Sequence, residues 1–266
     1  MPIDITSPVQ ILSEDEFHAI AERIIGIAFD VHNEFGRLLD EEIYKQVMLR
    51  RAEAAGITGR REVEVIVRHR DFSKSYFVDL LFANSLMVEA KTVAKLTTTH
   101  QAQALHYLLL AEMSHGLLLN FRPSRVEKQF VSTTLNLAER RRYSVDVVDW
   151  NPTNEASERL QTVLLGLLDD WGLFLHTSFY REAIIHFFGG EDRALKRVPI
   201  YDGLDVVGSH EVCLLCDGTA LAMTSLRNGK EAMHEHLNRF LRHARMKCLQ
   251  WVNLDGHKVE FRTVPA

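Results

Sequence analysis

Residues 77–91 read FVDLLFANSLMVEAK, and the predicted fold is built outward from them. Two short apolar runs flank Ala-Asn-Ser, which predicts a β-hairpin with a three-residue loop. Pairing centred on Asn84 puts Asp79 directly opposite Glu89, with their Cβ atoms roughly 4.5–5.5 Å apart. Because strand side chains alternate between faces, Lys91 lies on the same face as Glu89. The sequence therefore predicts that two acids and a lysine converge on one face of the hairpin.

Two carboxylates in apolar surroundings raise each other's pKa unless a cation lies between them. A hard ion such as Mg²⁺ suits the pair, because it binds one or two carboxylates and keeps several waters. The hairpin thus predicts a metal site held by Asp79 and Glu89, with Mn²⁺ as a second candidate ion. The alternative is a buried ion-pair cluster without a metal. Two acids and one lysine leave a negative charge uncompensated, which favours the metal.

The rest of the first half alternates helical and strand patterns around the hairpin. Ser13 and Glu16 form a capping-box pattern that begins an apolar helical stripe ending near Gly36. The other predicted elements are a second helix over 39–55, a strand at 63–67, a polar turn at 71–75, a helix from Thr97 through His115, and strands at 116–121 and 128–132.

The second half repeats the first at a nearly constant offset. Residues 35–44 align with 171–180, residues 78–91 with 212–225, and residues 111–121 with 244–254. Ordered matches of this kind indicate an internal duplication. We expect domains at 1–140 and 153–266, joined by the segment Asn136–Asn154.

The aligned positions keep apolar residues and lose the charged ones. In this alignment Asp79, Glu89, Lys91 and Glu41 fall on Cys213, Met223, Ser225 and Thr177. The second copy is therefore expected to keep the fold and lack the catalytic residues. Its predicted strands are 197–202, 211–216, 220–226, 249–254 and 258–263, with a helix over 230–245.

Composition limits the classes of partner and location. The 266 residues are 46% hydrophobic and carry a net charge of −5, so the chain lacks the broad basic surface that binds duplex nucleic acid nonspecifically. Any nucleic-acid contact should be local. The first ten residues do not resemble a signal peptide, and no apolar run approaches the roughly 20 residues of a membrane span. The three cysteines are typical of a reducing compartment, so a cytoplasmic location is expected.

The order of helices, three strands, helix and strand, with Asp on the second strand and Glu-x-Lys on the third, resembles the PD-(D/E)XK nuclease superfamily. Residues from about 15 to 132 are similar to its GxxExxY family. One position departs from the motif, because Leu38 stands where the family has a glycine six residues before the tyrosine. The matching segments are Phe35-Gly36, Leu39, Glu41 and Tyr44, then Val78–Leu81, Val88–Lys91, His100–Leu108 and Gly116–Phe121.

The resemblance implies an α/β (α+β) fold with two tandem units, each a small mixed sheet flanked by helices, forming an intramolecular pseudo-dimer. It also implies Mg²⁺-dependent hydrolysis of phosphodiester bonds in DNA or RNA, with the active site in the first half only. Asp79 and Glu89 would bind the metal, and Lys91 would orient water or neutralise charge on the phosphate. Glu41 would add a carboxylate, and Gln103 would hydrogen-bond the nucleophile or Lys91.

Two functions are left open by the sequence. The first is the nuclease, acting as a monomeric pseudo-dimer or a higher oligomer. The second is a catalytically idle module that binds nucleic acid or protein on a nuclease scaffold. Retention of both acids and the lysine in one half favours the nuclease, whereas the acidic net charge favours the idle module.

Overall fold

A computed structural model describes residues 2–266 and divides the chain into two compact units, Met1–Leu137 and Ala138–Ala266. Each unit is built on a six-stranded sheet that mixes parallel and antiparallel pairs and is flanked by helices. This confirms the predicted fold class of two tandem α/β units.

The first unit has the strand order β1-β2-β3-β4-β5-β6, in which only β4 and β5 run parallel. The connection between those two strands is a helix, as a parallel crossover requires. The elements are β1 (Ile3–Ile5), α1 (Glu14–Phe35), α2 (Glu41–Ala54), β2 (Gly59–His69), β3 (Phe72–Phe82), β4 (Leu86–Lys91), α3 (Thr98–Ala111), β5 (His115–Asn120) and β6 (Glu127–Ser132).

The first helix begins and ends where the sequence predicts. The backbone N–H of Glu16 donates to the Ser13 hydroxyl at 3.4 Å, and the Ser13 N–H donates to the Glu16 carboxylate at 3.0 Å. At the other end, the Gly36 N–H donates to the His32 carbonyl oxygen at 2.9 Å. Gly36 has a φ of +72°, a left-handed conformation that glycine adopts without a Cβ clash.

The central hairpin has the predicted loop and register. Strands β3 and β4 are joined by residues 83–85, and Leu80 pairs with Val88. Side chains at alternate positions of β3 and β4, such as Leu80 and Val88, pack against α1 and α2 in the main apolar core. Asp79 and Glu89 have the opposite parity and therefore point away from that core.

Two predicted boundaries in this unit are wrong. Residues 71–75 are not a turn, because β3 already begins at Phe72 and pairs along its length with β2, so the chain reverses at Arg70 and Asp71. Helix α3 does not reach His115. It ends at Ala111, because Glu112 takes the left-handed conformation at a φ of +52°.

The second unit has the strand order β7-β12-β11-β10-β9-β8. Strands β8 to β12 repeat the arrangement of β2 to β6, and the sixth strand lies at the opposite edge. The elements are α4 (Leu137–Arg140), β7 (Ser144–Asp146), α5 (Glu155–Trp171), α6 (Thr177–Phe187), α7 (Glu191–Ala194), β8 (Leu195–Asp202), β9 (Asp205–Cys216), β10 (Thr219–Thr224), α8 (Lys230–Ala244), β11 (Cys248–Asp255) and β12 (Lys258–Pro265).

The segment expected to join the domains is largely structured within the second unit. Strand β7 pairs in parallel with β12, and the fully buried Arg140 donates to the Trp171 carbonyl oxygen at 2.9 Å. Sequence patterns do not predict β7, because three residues at a sheet edge carry almost no periodicity.

The two units share hydrogen bonds at matching positions. The Tyr44 hydroxyl donates to the Gly36 carbonyl oxygen at 2.7 Å, and Tyr180 makes the same bond to Gly172 at 2.5 Å.

A second shared pair joins the last two strands of each sheet. The Asn120 amide donates to Glu127 at 3.0 Å, and the corresponding bond from Asn253 to Glu260 is 2.8 Å. These pairs fix the equivalent positions of β5 and β11 at an offset of 133.

Strand pairing corrects the alignment of the hairpin by one residue. Lys91 pairs with Asn120 and Thr224 pairs with Asn253, so the offset along β4 is also 133. The counterparts of Asp79, Glu89 and Lys91 are therefore Val212, Ala222 and Thr224, and not Cys213, Met223 and Ser225. A one-residue slip exchanges the two faces of a strand, so the correction changes which side chains occupy the site.

Candidate active site

The site lies where β3 and β4 separate. Their ladder is followed by side-chain contacts: the Ala90 N–H donates to Asp79 Oδ2 at 3.0 Å, and the Asp79 N–H approaches Glu89 Oε1 at 3.4 Å. At this point the two carboxylates accept hydrogen bonds from backbone N–H groups, which pair with backbone carbonyl oxygens elsewhere in the hairpin. The structure brings this pair together.

Lys91 completes the predicted group. Its Nζ donates to Glu89 Oε2 at 3.2 Å and lies 3.9 Å from Asp79 Oδ2. Glu89 is almost fully buried, whereas the side chains of Asp79 and Lys91 are 14% and 13% exposed. The cluster therefore reaches solvent through Asp79 and Lys91.

Lys45 is a second cation in the site that sequence reasoning missed. Its Nζ donates to Asp79 Oδ1 at 3.2 Å and to Glu62 Oε1 at 3.1 Å, and it lies 3.1 Å from Glu42 Oε2. Only 7% of Lys45 is exposed. The two acids and one lysine of the hairpin are therefore not the whole set of charges in the site, because Lys45 also compensates the charge of Asp79.

Burial and the neighbouring Asp79 raise the pKa of Glu89 to about 8, although Lys91 opposes the shift. A buried carboxyl beside another carboxylate therefore holds its proton near neutral pH when no further cation is present.

The pKa of Lys91 is also raised, which in a lysine favours the charged form. Burial alone would lower its pKa, but the carboxylates of Glu89, Asp79 and Glu41 outweigh that effect and the net shift is upward. Lys91 is thus held as a cation, which suits it to stabilising negative charge and not to accepting a proton.

Glu41 lies at the rim of the same group, on the first residue of α2. Burial is the main cause that raises its pKa, and Asp79 adds to it, while Lys91, Lys45 and the Thr92 backbone N–H act against it. The charges of the site therefore affect the pKa of Glu41, which lies on α2.

Gln103 is exposed on α3 and approaches the site through another residue. Its amide donates to the Tyr107 hydroxyl at 3.2 Å. Burial raises the pKa of Tyr107 despite that bond, and the charges of Glu89, Lys91 and Asp79 also act on it. Gln103 thus contacts Tyr107, and Tyr107 is near enough to the charged group for those charges to affect its pKa.

Helical spacing could have found both missed residues. Lys45 follows Glu41 by four positions and Tyr107 follows Gln103 by four, so each pair shares one helix face. Neither spacing shows that these faces meet the hairpin, because that depends on how α2 and α3 pack on the sheet.

The donor set fits a hard divalent ion with few protein ligands. Asp79 and Glu89 offer two adjacent carboxylates, and their mutual repulsion is relieved by a cation. Among residues 2–266, no cluster of three or more His, Cys, Asp or Glu side chains is arranged to hold a metal. Glu41 thus stands outside the ligand group in this conformation, and water would fill the remaining positions.

Comparison with known proteins bears on the first unit. No match was found among curated proteins or among solved structures. None of the helices formed by residues 2–266 combines the length and apolar character needed to cross a bilayer. Residues 18–132, less than half of the 266-residue chain, match the family model of the PD-(D/E)XK nuclease superfamily. This match includes every residue of the site, and it identifies the first unit as similar to PD-(D/E)XK nucleases.

Proposed function

We propose that the first unit is a metal-dependent nuclease that hydrolyses phosphodiester bonds of DNA or RNA. The observation that carries the proposal is the convergence of Asp79, Glu89 and Lys91 at the end of the β3–β4 ladder. The match of residues 18–132 to a nuclease superfamily supports the same activity.

Asp79 and Glu89 would hold Mg²⁺, with Mn²⁺ as a substitute. When bound, the metal would polarise the scissile phosphate and lower the pKa of a coordinated water. Glu89 must lose its proton to serve as a ligand, because only the carboxylate coordinates a hard ion. Asp79 accepts a hydrogen bond from Lys45, and binding of the metal would have to weaken that bond.

The remaining residues would act on the phosphate and the attacking water. Lys91, held protonated by three carboxylates, would stabilise charge that develops on the phosphate. Glu41 would accept a hydrogen bond from water at the rim. Gln103, through Tyr107, would orient the nucleophile from the α3 side.

The second unit would be a degenerate copy of the GxxExxY-type first unit, and the pair would form a pseudo-dimer with a single active site. The shared tyrosine and asparagine hydrogen bonds support the duplication. Replacement of both acids and the lysine by Val212, Ala222 and Thr224 supports the loss of activity.

Incubation of the full chain with labelled single- and double-stranded DNA and RNA, in Mg²⁺ or EDTA, tests the nuclease. We expect cleavage in Mg²⁺ alone, and a loss of at least about 100-fold in Asp79→Asn and Lys91→Met, as removal of groups that bind the metal or the transition state implies. Asp30→Asn, an exposed acid on α1, is the matched control and should cleave normally. Equal cleavage by Asp79→Asn and the unaltered chain would contradict the proposal.

The idle binding module is the second candidate, and Lys45 is the observation that favours it. Lys45 pairs with Asp79 and relieves part of the charge that a metal would otherwise neutralise. If no substrate is cleaved and Mg²⁺ leaves the unfolding midpoint unchanged, the cluster is a structural ion-pair network.

A further inference from the structure

A cavity of about 200 Å³ in the second unit is lined by the residues that correspond to Asp79 and Lys45 of the first unit. Its lining includes Val212, the counterpart of Asp79, together with apolar side chains of β10, α8 and β11. Phe240 also lines it, at an offset of 133 from Tyr107. The second unit therefore has an open space beside the positions that correspond to Asp79 and Lys45.

The excess of acids at this position of the first unit is not kept in the second unit. Arg181 lines the cavity and follows Tyr180 just as Lys45 follows Tyr44, so a cation is kept. The acids around Lys45 are not kept. Asp79 is replaced by Val212, and Lys196, which pairs with Val212, stands where Glu62 stands beside Asp79.

Arg181 has spare hydrogen-bonding capacity. Within residues 2–266 its side chain makes no hydrogen bond or ion pair, although it is only partly exposed. A guanidinium presents donors in a planar fork that matches phosphate oxygens better than a lysine ammonium does. Glu211 is the one acid that lines the cavity, and it is exposed to solvent.

Two aromatic side chains line the same cavity as this cation. The rings of His210 and Phe240 meet edge to face, with centroids 5.7 Å apart, and both residues line the cavity. Unpaired nucleobases stack on such rings, whereas paired bases inside a duplex cannot reach them.

We propose that this cavity binds one nucleotide of a single-stranded nucleic acid, with the base against Phe240 and the phosphate on Arg181. The inference rests on the proposed function for its ligand, and it assigns the second unit a specific task of holding the substrate strand. No metal is required for this binding, because the cavity offers a cation in place of the two carboxylates.

Fluorescence anisotropy of a labelled ten-nucleotide single strand, measured with the full chain in EDTA, tests the inference without cleavage. We expect Arg181→Gln to weaken binding about ten-fold and to reduce the slope of log K against log salt by about 0.7, the contribution of one phosphate contact. Phe240→Leu should weaken binding about ten-fold by loss of stacking. Glu211→Gln should strengthen it.

Arg239→Gln is the matched control. Arg239 is an exposed arginine of the same helix as Phe240, it pairs with Glu235, and it lies outside the cavity lining. Its replacement should change affinity less than about two-fold, as expected for a surface pair. Circular dichroism and thermal unfolding check that each variant is folded.

Competition distinguishes the sources of affinity. Adenosine monophosphate should displace the strand at lower concentration than ribose 5-phosphate, and a duplex of the same sequence should bind more weakly than the single strand. Equal competition by the two small molecules, or unchanged binding by Arg181→Gln and Phe240→Leu, would overturn the inference. Arg181-dependent binding without any cleavage in Mg²⁺ would leave the inference standing and refute the nuclease proposal instead.

Discussion

At the scale of single residues, Lys45 compensates part of the negative charge of the site when no metal is bound. It is buried and bridges Asp79, Glu62 and Glu42. Its three partners face it from β3, from β2 and from its own helix, so loss of its charge leaves several acids close together.

We expect Lys45→Met to lower the free energy of unfolding by about 2 kcal/mol, because the mostly buried Asp79 loses its nearest cation and keeps only the more distant Lys91. Mg²⁺ should recover more stability in this variant than in the unaltered chain, since the metal no longer competes with an internal cation. Urea unfolding with and without Mg²⁺ measures both effects. Lys128→Met, at an exposed lysine of β6, serves as the control. Equal stabilisation by Mg²⁺ in Lys45→Met and the unaltered chain would refute the competition.

The raised pKa of Glu89 predicts an unusual dependence of stability on pH. The folded pKa of about 8 exceeds the usual value of 4.5, so the native state binds more protons than the unfolded chain between these values. The free energy of unfolding in EDTA should therefore fall as pH rises from about 4.5 to about 8. Glu89→Gln should flatten this decline.

Saturating Mg²⁺ should oppose the decline in the unaltered chain, because the metal binds the ionised carboxylate. Thermal unfolding across this pH range, in EDTA and in Mg²⁺, provides the measurement. The same decline in Glu89→Gln as in the unaltered chain would assign the pH dependence to another group.

At the scale of elements, the β3–β4 hairpin sets the geometry of Asp79 and Glu89. Its loop contains Ala83 and Asn84 at φ values of +50° and +54°. Left-handed backbone is costly for alanine and better tolerated by asparagine. The loop therefore keeps the register that sets Asp79 opposite Glu89, and the backbone of Ala83 is strained as a result.

We expect Ala83→Gly to raise the free energy of unfolding by about 0.5–1 kcal/mol, because glycine adopts this conformation without steric strain. Asn84→Gly should change it much less. Both variants should cleave as the unaltered chain does, since the loop length is kept. Chemical denaturation measures the difference between them, and a larger gain at Asn84 than at Ala83 would contradict the argument.

At the scale of the whole molecule, each unit has its own sheet and its own buried core. The first unit contains every residue of the candidate active site, and the second contains the cavity at Arg181. Chemistry and part of the substrate binding are thus expected to lie in different units.

Removal of residues 138–266 should leave a folded first unit that still binds Mg²⁺ and cleaves with a KM raised about ten-fold, because one set of strand contacts is lost. Steady-state cleavage of a labelled single strand by the full chain and by residues 1–137 makes the comparison. Unchanged kinetics in the shorter chain would show that the second unit does not hold the substrate.

Much of the fold is encoded locally. The capping box at Ser13 begins α1, the alternation of apolar residues defines the strands, and the Ala-Asn-Ser loop sets the hairpin register. These features depend on neighbours within a few residues of one another, so sequence alone predicts them, and the placement of Asp79, Glu89 and Lys91 on one face follows directly.

Other features were decided only by tertiary packing. Lys45 and Tyr107 join the site because α2 and α3 lie against the sheet, and no local pattern specifies that contact. The counterparts of Asp79, Glu89 and Lys91 changed by one position because β9 and β10 pair with a register shift between Thr219 and Ala220. The raised pKa of Glu89 likewise needs the burial that the assembled sheet and helices provide. Long-range packing sets the local dielectric and the distances between side chains of different elements, whereas short-range sequence sets which side chains are available and which of them share a strand face.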